Sequence, residues 1–162
     1  MKPQVIITKK VFRTIRQCVL EADNNYETGG VLIGYHLWRM YLVVAITTPS
    51  TNSNSSRVSF FLDGMEHTQK VNDIISGFRC SASALGIWHS HICDGHKFSK
   101  QDTLSNRMLA KTLGGALSML VTKSTHSIEL SISHISTTGT EEDCAVRVRA
   151  KAEMEGKPHE RR

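Results

Sequence analysis

The chain lacks any long apolar run. Its longest markedly hydrophobic stretch, Tyr41 to Ile46, falls far short of the ~20 residues that a bilayer-spanning helix requires. The amino-terminal MKPQVIITKK has no signal-like apolar core, so no membrane partner is expected and a cytoplasmic location follows as the default. Paired cysteines are missing too. Cys18, Cys80, Cys93 and Cys144 are widely spaced with no Cys-x-x-Cys, which indicates neither a disulfide framework nor a four-cysteine zinc site. Reduced thiols fit the cytoplasm. Aromatics are only 6% and, although the net charge is +5, the basic residues are scattered except in the tail KPHERR. That is the pattern of a solvated surface rather than of a nucleic-acid footprint. No internal repeat is evident.

What is there is the balance of a globular protein: 162 residues, 40% hydrophobic and 22% charged, enough for one domain with one core of moderate size. The spacing of Val11, Phe12, Ile15, Val19 and Leu20 predicts an amphipathic helix that ends before Asn24. GGVLIGY and MYLVVAITTP read as two strands joined by HLWR, and VSFFLD as a third after the polar loop TNSNSSR. Met65, Val71, Ile74, Ile75 and Phe78 share a helical face, and ALGIWHSH is a mostly apolar strand. A helix from about Lys100 to Thr112, stopped by Gly114-Gly115, precedes strands at ALSMLVTK, SIELSISHI and CAVRVRA. Trp38 and Trp88 are expected to pack the core or its rim, with a substrate groove as the other reading of Trp88.

Three of the eight histidines fall in WHSHICDGHKFSKQD, residues 88 to 102, with one cysteine and two aspartates. On a strand, residues two apart share a face, so His89 and His91 present two imidazoles to one point while Ser90 turns away. Asp102 lies in the first turn of the next helix, where Ser99 and Asp102 also read as a plain capping box. His, His and Asp with an open fourth position are a ligand set that catalytic zinc uses. Taken singly, each residue reads more readily as structural than as a ligand. Glu27, in YETGGVLIG, taken alone is a solvated loop acid, and Gly29-Gly30 beside it permits close backbone packing.

Together, Glu27, His89-x-His91, seven residues and Ser99-x-x-Asp102 resemble the JAMM signature of the JAB/MPN metallopeptidase family, and the order of elements matches over nearly the whole chain. The resemblance implies an α+β fold, a curved mixed β-sheet flanked by helices in a single JAB/MPN-like (cytidine deaminase-like) domain over residues 1–150, followed by a charged tail, 151–162. It implies zinc on His89, His91 and Asp102, Glu27 as general base and acid, and Ser99 helping to hold the oxyanion. Zinc lowers the pKa of a bound water to about 7. Two prolines usual in the family, after the second histidine and before the serine, are replaced by Ile92 and Phe98, which leaves the 92–98 loop more conformational freedom. Cys93, inside that loop, is either a partly buried thiol or a latent metal ligand in place of water.

The family acts on isopeptide or peptide bonds after the tail of ubiquitin or a ubiquitin-like protein. Such a tail enters as an extended strand on an exposed sheet edge, here near Val58 to Leu62 or the loop after His91. The chain is too compact for the long insertions of ubiquitin-chain-trimming relatives. It looks more like the small prokaryotic JAB peptidases of ubiquitin-like conjugation and CBASS antiphage systems, where the partners are an activating or conjugating enzyme and a conjugated nucleotidyltransferase. Two alternatives stay open: a RadC-like protein of DNA metabolism, and a noncatalytic MPN-type interaction module.

Overall fold

A computed structural model describes residues 1–22, 27–48, 64–91, 100–123 and 127–149. Along these run β1 (Gln4–Thr8), α1 (Lys9–Glu21), β2 (Gly29–Leu37), β3 (Met40–Ile46), α2 (Gly64–Ser76), β4 (Ser83–His91), α3 (Lys100–Leu113), β5 (Ala116–Lys123), β6 (Ile128–Ile135), β7 (Glu141–Asp143) and β8 (Ala145–Arg149). The strands form one sheet in the order β7-β6-β5-β4-β2-β3-β1-β8. β1 is parallel to β3 and to β8, and β4 to β5, while the remaining pairs are antiparallel. The sheet is therefore mixed.

It is also curved back on itself. β7 and β8 are consecutive in the chain yet lie at opposite ends of the strand order. Two adjacent residues join those ends: the Cys144 amide donates to the Ile132 carbonyl on β6 at 2.8 Å, and the Ala145 amide to the Pro3 carbonyl before β1, also at 2.8 Å. The rings of Tyr41 on β3 and His134 on β6 accordingly lie 5.7 Å apart.

α1 fills the inside of this curve. Thr8 caps it, its hydroxyl accepting from the Val11 amide at 3.3 Å, and Val11, Ile15 and Val19 form the buried stripe that the sequence spacing predicts. They pack with Val5, Ile7, Trp88, Leu117, Met119 and Val121 in the main core. Burying each such side chain stabilises the fold by about 1.5–3 kcal/mol. β5 is apolar almost throughout because both its faces are covered. Leu117, Met119 and Val121 face α1, whereas Ala116 faces α3, where it packs with Ala110 and Ile135. By alternation Ser118, Leu120 and Thr122 share the α3 side. α3 stops at Gly114 and Gly115, whose φ of 75° and 116° suit glycine, and the Gly115 amide closes on the Ala110 carbonyl at 2.7 Å.

The α+β architecture is the expected one, with differences of detail. HLWR is not all connection: β2 runs on to Leu37, and only Trp38 and Arg39 make the turn. Trp38 does not pack the core; it stands 78% exposed at the hairpin tip with φ 54°. Trp88 is fully buried in the core and its indole N–H donates to the Thr47 carbonyl at 3.2 Å, so it faces away from the side that carries His89 and does not line a groove there. β1 and β7 were not foreseen from the sequence pattern. The VSFFLD strand, the edge Val58 to Leu62, the loop 92–98 and the tail 151–162 lie outside the described residues. Among the described residues, no helix is long and apolar enough to cross a membrane.

Candidate metal centre

The carboxyl end of β4 and the amino end of α3 meet on the sheet face opposite α1. Pairing of β4 with β5 is regular from Gly86 to His91, so the side chains of Ile87, His89 and His91 alternate with those of Trp88 and Ser90. The first set faces α3. His89 Nε2 lies 3.2 Å from His91 Nε2, 3.8 Å from Asp102 Oδ1, and His91 Nε2 lies 3.6 Å from Asp102 Oδ2. His89 and Asp102 are buried and His91 is half-buried.

These donors suit a metal ion both in spacing and in chemistry. Ligand atoms on tetrahedral zinc at ~2.0–2.1 Å stand about 3.3 Å from one another, close to the observed separations. One atom from each of the three residues lies within 4.8 Å of the others. Burial pushes the His89 pKa down to about 4, against the pull of the Asp102 carboxylate and with a further push from His91. At neutral pH His89 is therefore a neutral imidazole, the form that binds metal.

Glu27 lies just before β2. Gly29 pairs with His89 at the end of the antiparallel β2–β4 ladder, and Glu27 lies two residues before Gly29 in the chain. The connection is fixed just there: the Ser90 amide donates to the Thr28 carbonyl at 2.7 Å, and the Thr28 amide to the Ser90 hydroxyl at 3.0 Å. Gly29 and Gly30 permit this close approach. A Cβ on Gly29 would stand 2.5 Å from the Trp88 carbonyl, and one on Gly30 1.9 Å from the Thr47 carbonyl oxygen. Thr47 in turn is tied to Val31 in both directions, accepting through its hydroxyl at 2.8 Å and donating through its amide at 3.0 Å.

Of the residues singled out in the sequence, the structure thus gathers His89, His91 and Asp102, while Glu27 lies next to Thr28, which is bonded to Ser90 between the two histidines. Ser99 and Cys93 lie outside the described residues. The supports, Ser90 and Thr47, were missed. The only sequence signal for Ser90 was its alternation away from the histidines, and Thr47 gave none.

The chain matches the model of the prokaryotic homologues of the JAB domain over residues 8–146. It is 32% identical over 87 residues to an Escherichia coli protein named CD-NTase/cGAS isopeptidase, an alignment covering 54% of this chain and 56% of that protein; little more than half of the relative's length is spanned. A solution structure of a protein from Desulfitobacterium hafniense superposes with a TM-score of 0.66 over 91% of this chain and 96% of that one, at 19% identity, a likeness of fold alone. With the family model spanning nearly the whole chain and a His-His-Asp group on the matched elements, the chain belongs to the family of prokaryotic homologues of the JAB domain.

Proposed function

We propose that the protein is a zinc-dependent isopeptidase acting in the cytoplasm, which cleaves after the carboxyl-terminal tail of a ubiquitin-like protein or of a conjugated nucleotidyltransferase in bacterial antiphage defence. The observation that carries this reading is the convergence of His89, His91 and Asp102 within 4.8 Å of one another. The name of the E. coli relative, a CD-NTase/cGAS isopeptidase, supports the choice of substrate. Residues 1–150 form the peptidase domain and 151–162 a charged tail.

In this reading His89, His91 and Asp102 hold the zinc, whose contribution when bound is Lewis acidity toward water and the scissile carbonyl. Glu27 takes the proton of the attacking water and delivers it to the leaving lysine amine, a transfer that typically contributes about 100- to 10,000-fold. Ser99 donates its hydroxyl to the carbonyl oxygen as charge develops there. The buried His89 and Asp102 keep the ligand side dry, and the open side admits the extended tail.

The test is hydrolysis of a nucleotidyltransferase tail joined through its terminal carboxyl to a lysine side chain, followed by mass spectrometry. The zinc-loaded protein is expected to release the intact tail and the free lysine. Glu27→Ala is expected to bind zinc and the conjugate but to turn over at least about 100-fold more slowly. Wild-type turnover by Glu27→Ala with zinc bound would remove the proposed mechanism. A zinc-loaded wild-type protein that leaves both this conjugate and ubiquitin-like fusions intact would favour the noncatalytic module.

A further inference from the structure

α3 is arranged against the ordinary rule for a helix packed on a sheet. Its most buried stripe is Asp102, Asn106 and Ala110, at 6%, 3% and 0% exposure, while Leu104 and Met108 stand 63% and 72% exposed. Two of these three most buried positions are polar, and Leu104 and Met108 face out while Leu109 packs at the edge of the Ala110, Ala116 and Ile135 cluster. Asp102 is accounted for by the metal centre. Asn106 is not, and its Oδ1 is buried without a hydrogen-bond partner.

Its level in the layer follows from two fixed points. Ala110 packs on Ala116, and Asp102 reaches His89, whose neighbour on β5 is Leu120. From Ala110 back to Asp102 the helix rises about 12 Å at ~1.5 Å per residue. From Ala116 to Leu120 the strand rises about 13 Å at ~3.3 Å per residue. Asn106, halfway along the helix span, is therefore level with Ser118, halfway along the strand span. Ser118 Oγ is likewise buried without a partner, on the same α3-facing side. Two buried polar oxygens without hydrogen-bond partners thus lie at this level of the layer between α3 and the sheet, where a neutral polar group left unpaired is costly.

We propose that Asn106 is a positioning residue of the metal centre: its buried carboxamide oxygen accepts a hydrogen bond from the ring N–H of His89 in the loaded site and so helps to fix the orientation of that imidazole. The chemistry calls for such an acceptor. An imidazole that ligates through Nε2 carries its proton on Nδ1, and holding that N–H, directly or through a water, sets the tautomer and the ring direction. Asn106 is one helical turn from Asp102 on the same stripe, so it moves with that ligand. Groups of this kind commonly alter metal affinity about 10- to 100-fold.

The inference rests on the zinc reading of His89, His91 and Asp102, and the experiment separates the two. Zinc affinity is measured by chelator competition, and ligand geometry by the visible spectrum of the cobalt(II)-substituted protein, for wild type, His91→Ala, Asn106→Leu, Asn106→Ala and Asn106→Asp. Asn106→Leu, which removes the acceptor but keeps the volume, is expected to bind zinc about 10- to 100-fold more weakly and to change the cobalt spectrum. Its metal-free melting temperature is expected to equal or exceed that of wild type, because a buried unpaired acceptor is gone. Asn106→Asp, which restores an oxygen there, is expected to recover most of the affinity. Wild-type affinity and spectrum in both Asn106→Leu and Asn106→Ala overturn the proposal. Loss of metal-free stability in step with the loss of affinity assigns Asn106 to packing and overturns it too. A wild-type protein that binds zinc no better than His91→Ala overturns the metal reading itself.

Discussion

Ser90 grips Thr28 from both sides, its amide donating to the Thr28 carbonyl at 2.7 Å and its hydroxyl accepting from the Thr28 amide at 3.0 Å. The residue between the two histidines thus turns away from the site and anchors the segment that carries Glu27. Removing the hydroxyl leaves the backbone bond and the histidines untouched but frees the Thr28 amide. Ser90→Ala is therefore expected to keep wild-type zinc content while turnover falls about 10- to 100-fold, the cost of misplacing a catalytic group by roughly an ångström. Steady-state kinetics with parallel metal analysis check this. Undiminished kcat would show that the backbone pairing alone positions Glu27.

The His-x-His strand and the Asp-bearing helix were legible in the sequence because each signal is local. Alternation puts His89 and His91 on one face, and the first helical turn brings Asp102 inward. Glu27 needed the register of β2 against β4, a relation between residues some sixty positions apart, and only its family-like spacing pointed to it. β1 and β7 went unread for a related reason. Each is short, and each is held by distant partners rather than by its own pattern: β1 lies between β3 and β8, and β7 lies on β6. Trp38 misled through its hydrophobicity, because a tight hairpin turn overrides the preference of a single side chain for the core. Asn106 carries no local mark at all. Its position matters only once α3 is seen to bury its polar stripe and expose Leu104 and Met108.

The depressed pKa of His89 makes the stability of the metal-free protein depend on pH in a definite direction. The unfolded imidazole takes a proton near pH 6.5, whereas the folded one resists until about 4, chiefly through burial. Between those values the unfolded chain binds the proton that the native chain refuses, so stability falls as pH falls. The contribution is fully present above about 6.5 and exhausted below about 4, and a shift of this size corresponds to at most about 3 kcal/mol. Urea unfolding of the zinc-stripped protein at several pH values is expected to show this slope, and His89→Gln is expected to flatten it. Identical pH dependence in the two proteins would mean that His89 is not the group responsible.

Cys144 sits at the seam where the two ends of the sheet meet. Burial first, and then Glu142 and Asp143, push its thiol up to about 11, leaving almost no thiolate at neutral pH. Cys80 is exposed. Short treatment with iodoacetamide at pH 7.5 is expected to alkylate Cys80 in the folded protein and to spare Cys144 until denaturant is added. Peptide mapping reads the order directly. Equal modification of the two at early times would contradict the closed seam.

Gly30 offers the most direct test of how the site is built into the sheet. A methyl group there would lie 1.9 Å from the Thr47 carbonyl oxygen and 2.5 Å from Trp88 Nε1, the two atoms that share the 3.2 Å indole hydrogen bond. Neither atom can retreat easily, because Thr47 is bonded to Val31 through both its amide and its hydroxyl and Trp88 is fully buried in the core. Relief requires β2 to separate from its neighbours at the point where Gly29 pairs with His89. Gly30→Ala is expected to cost about 3 kcal/mol, at the upper end of the range for overpacking, and to weaken zinc binding along with stability because the ligand strand is displaced. Gly77→Ala is the control. Its new methyl would meet only the Ile74 carbonyl oxygen, at 3.4 Å, and its stability is expected to stay within about 0.5 kcal/mol of wild type. Thermal denaturation of both variants with and without zinc decides the matter, and a Gly30→Ala protein as stable as Gly77→Ala would mean that β2 and β4 are not held together as tightly as this site requires.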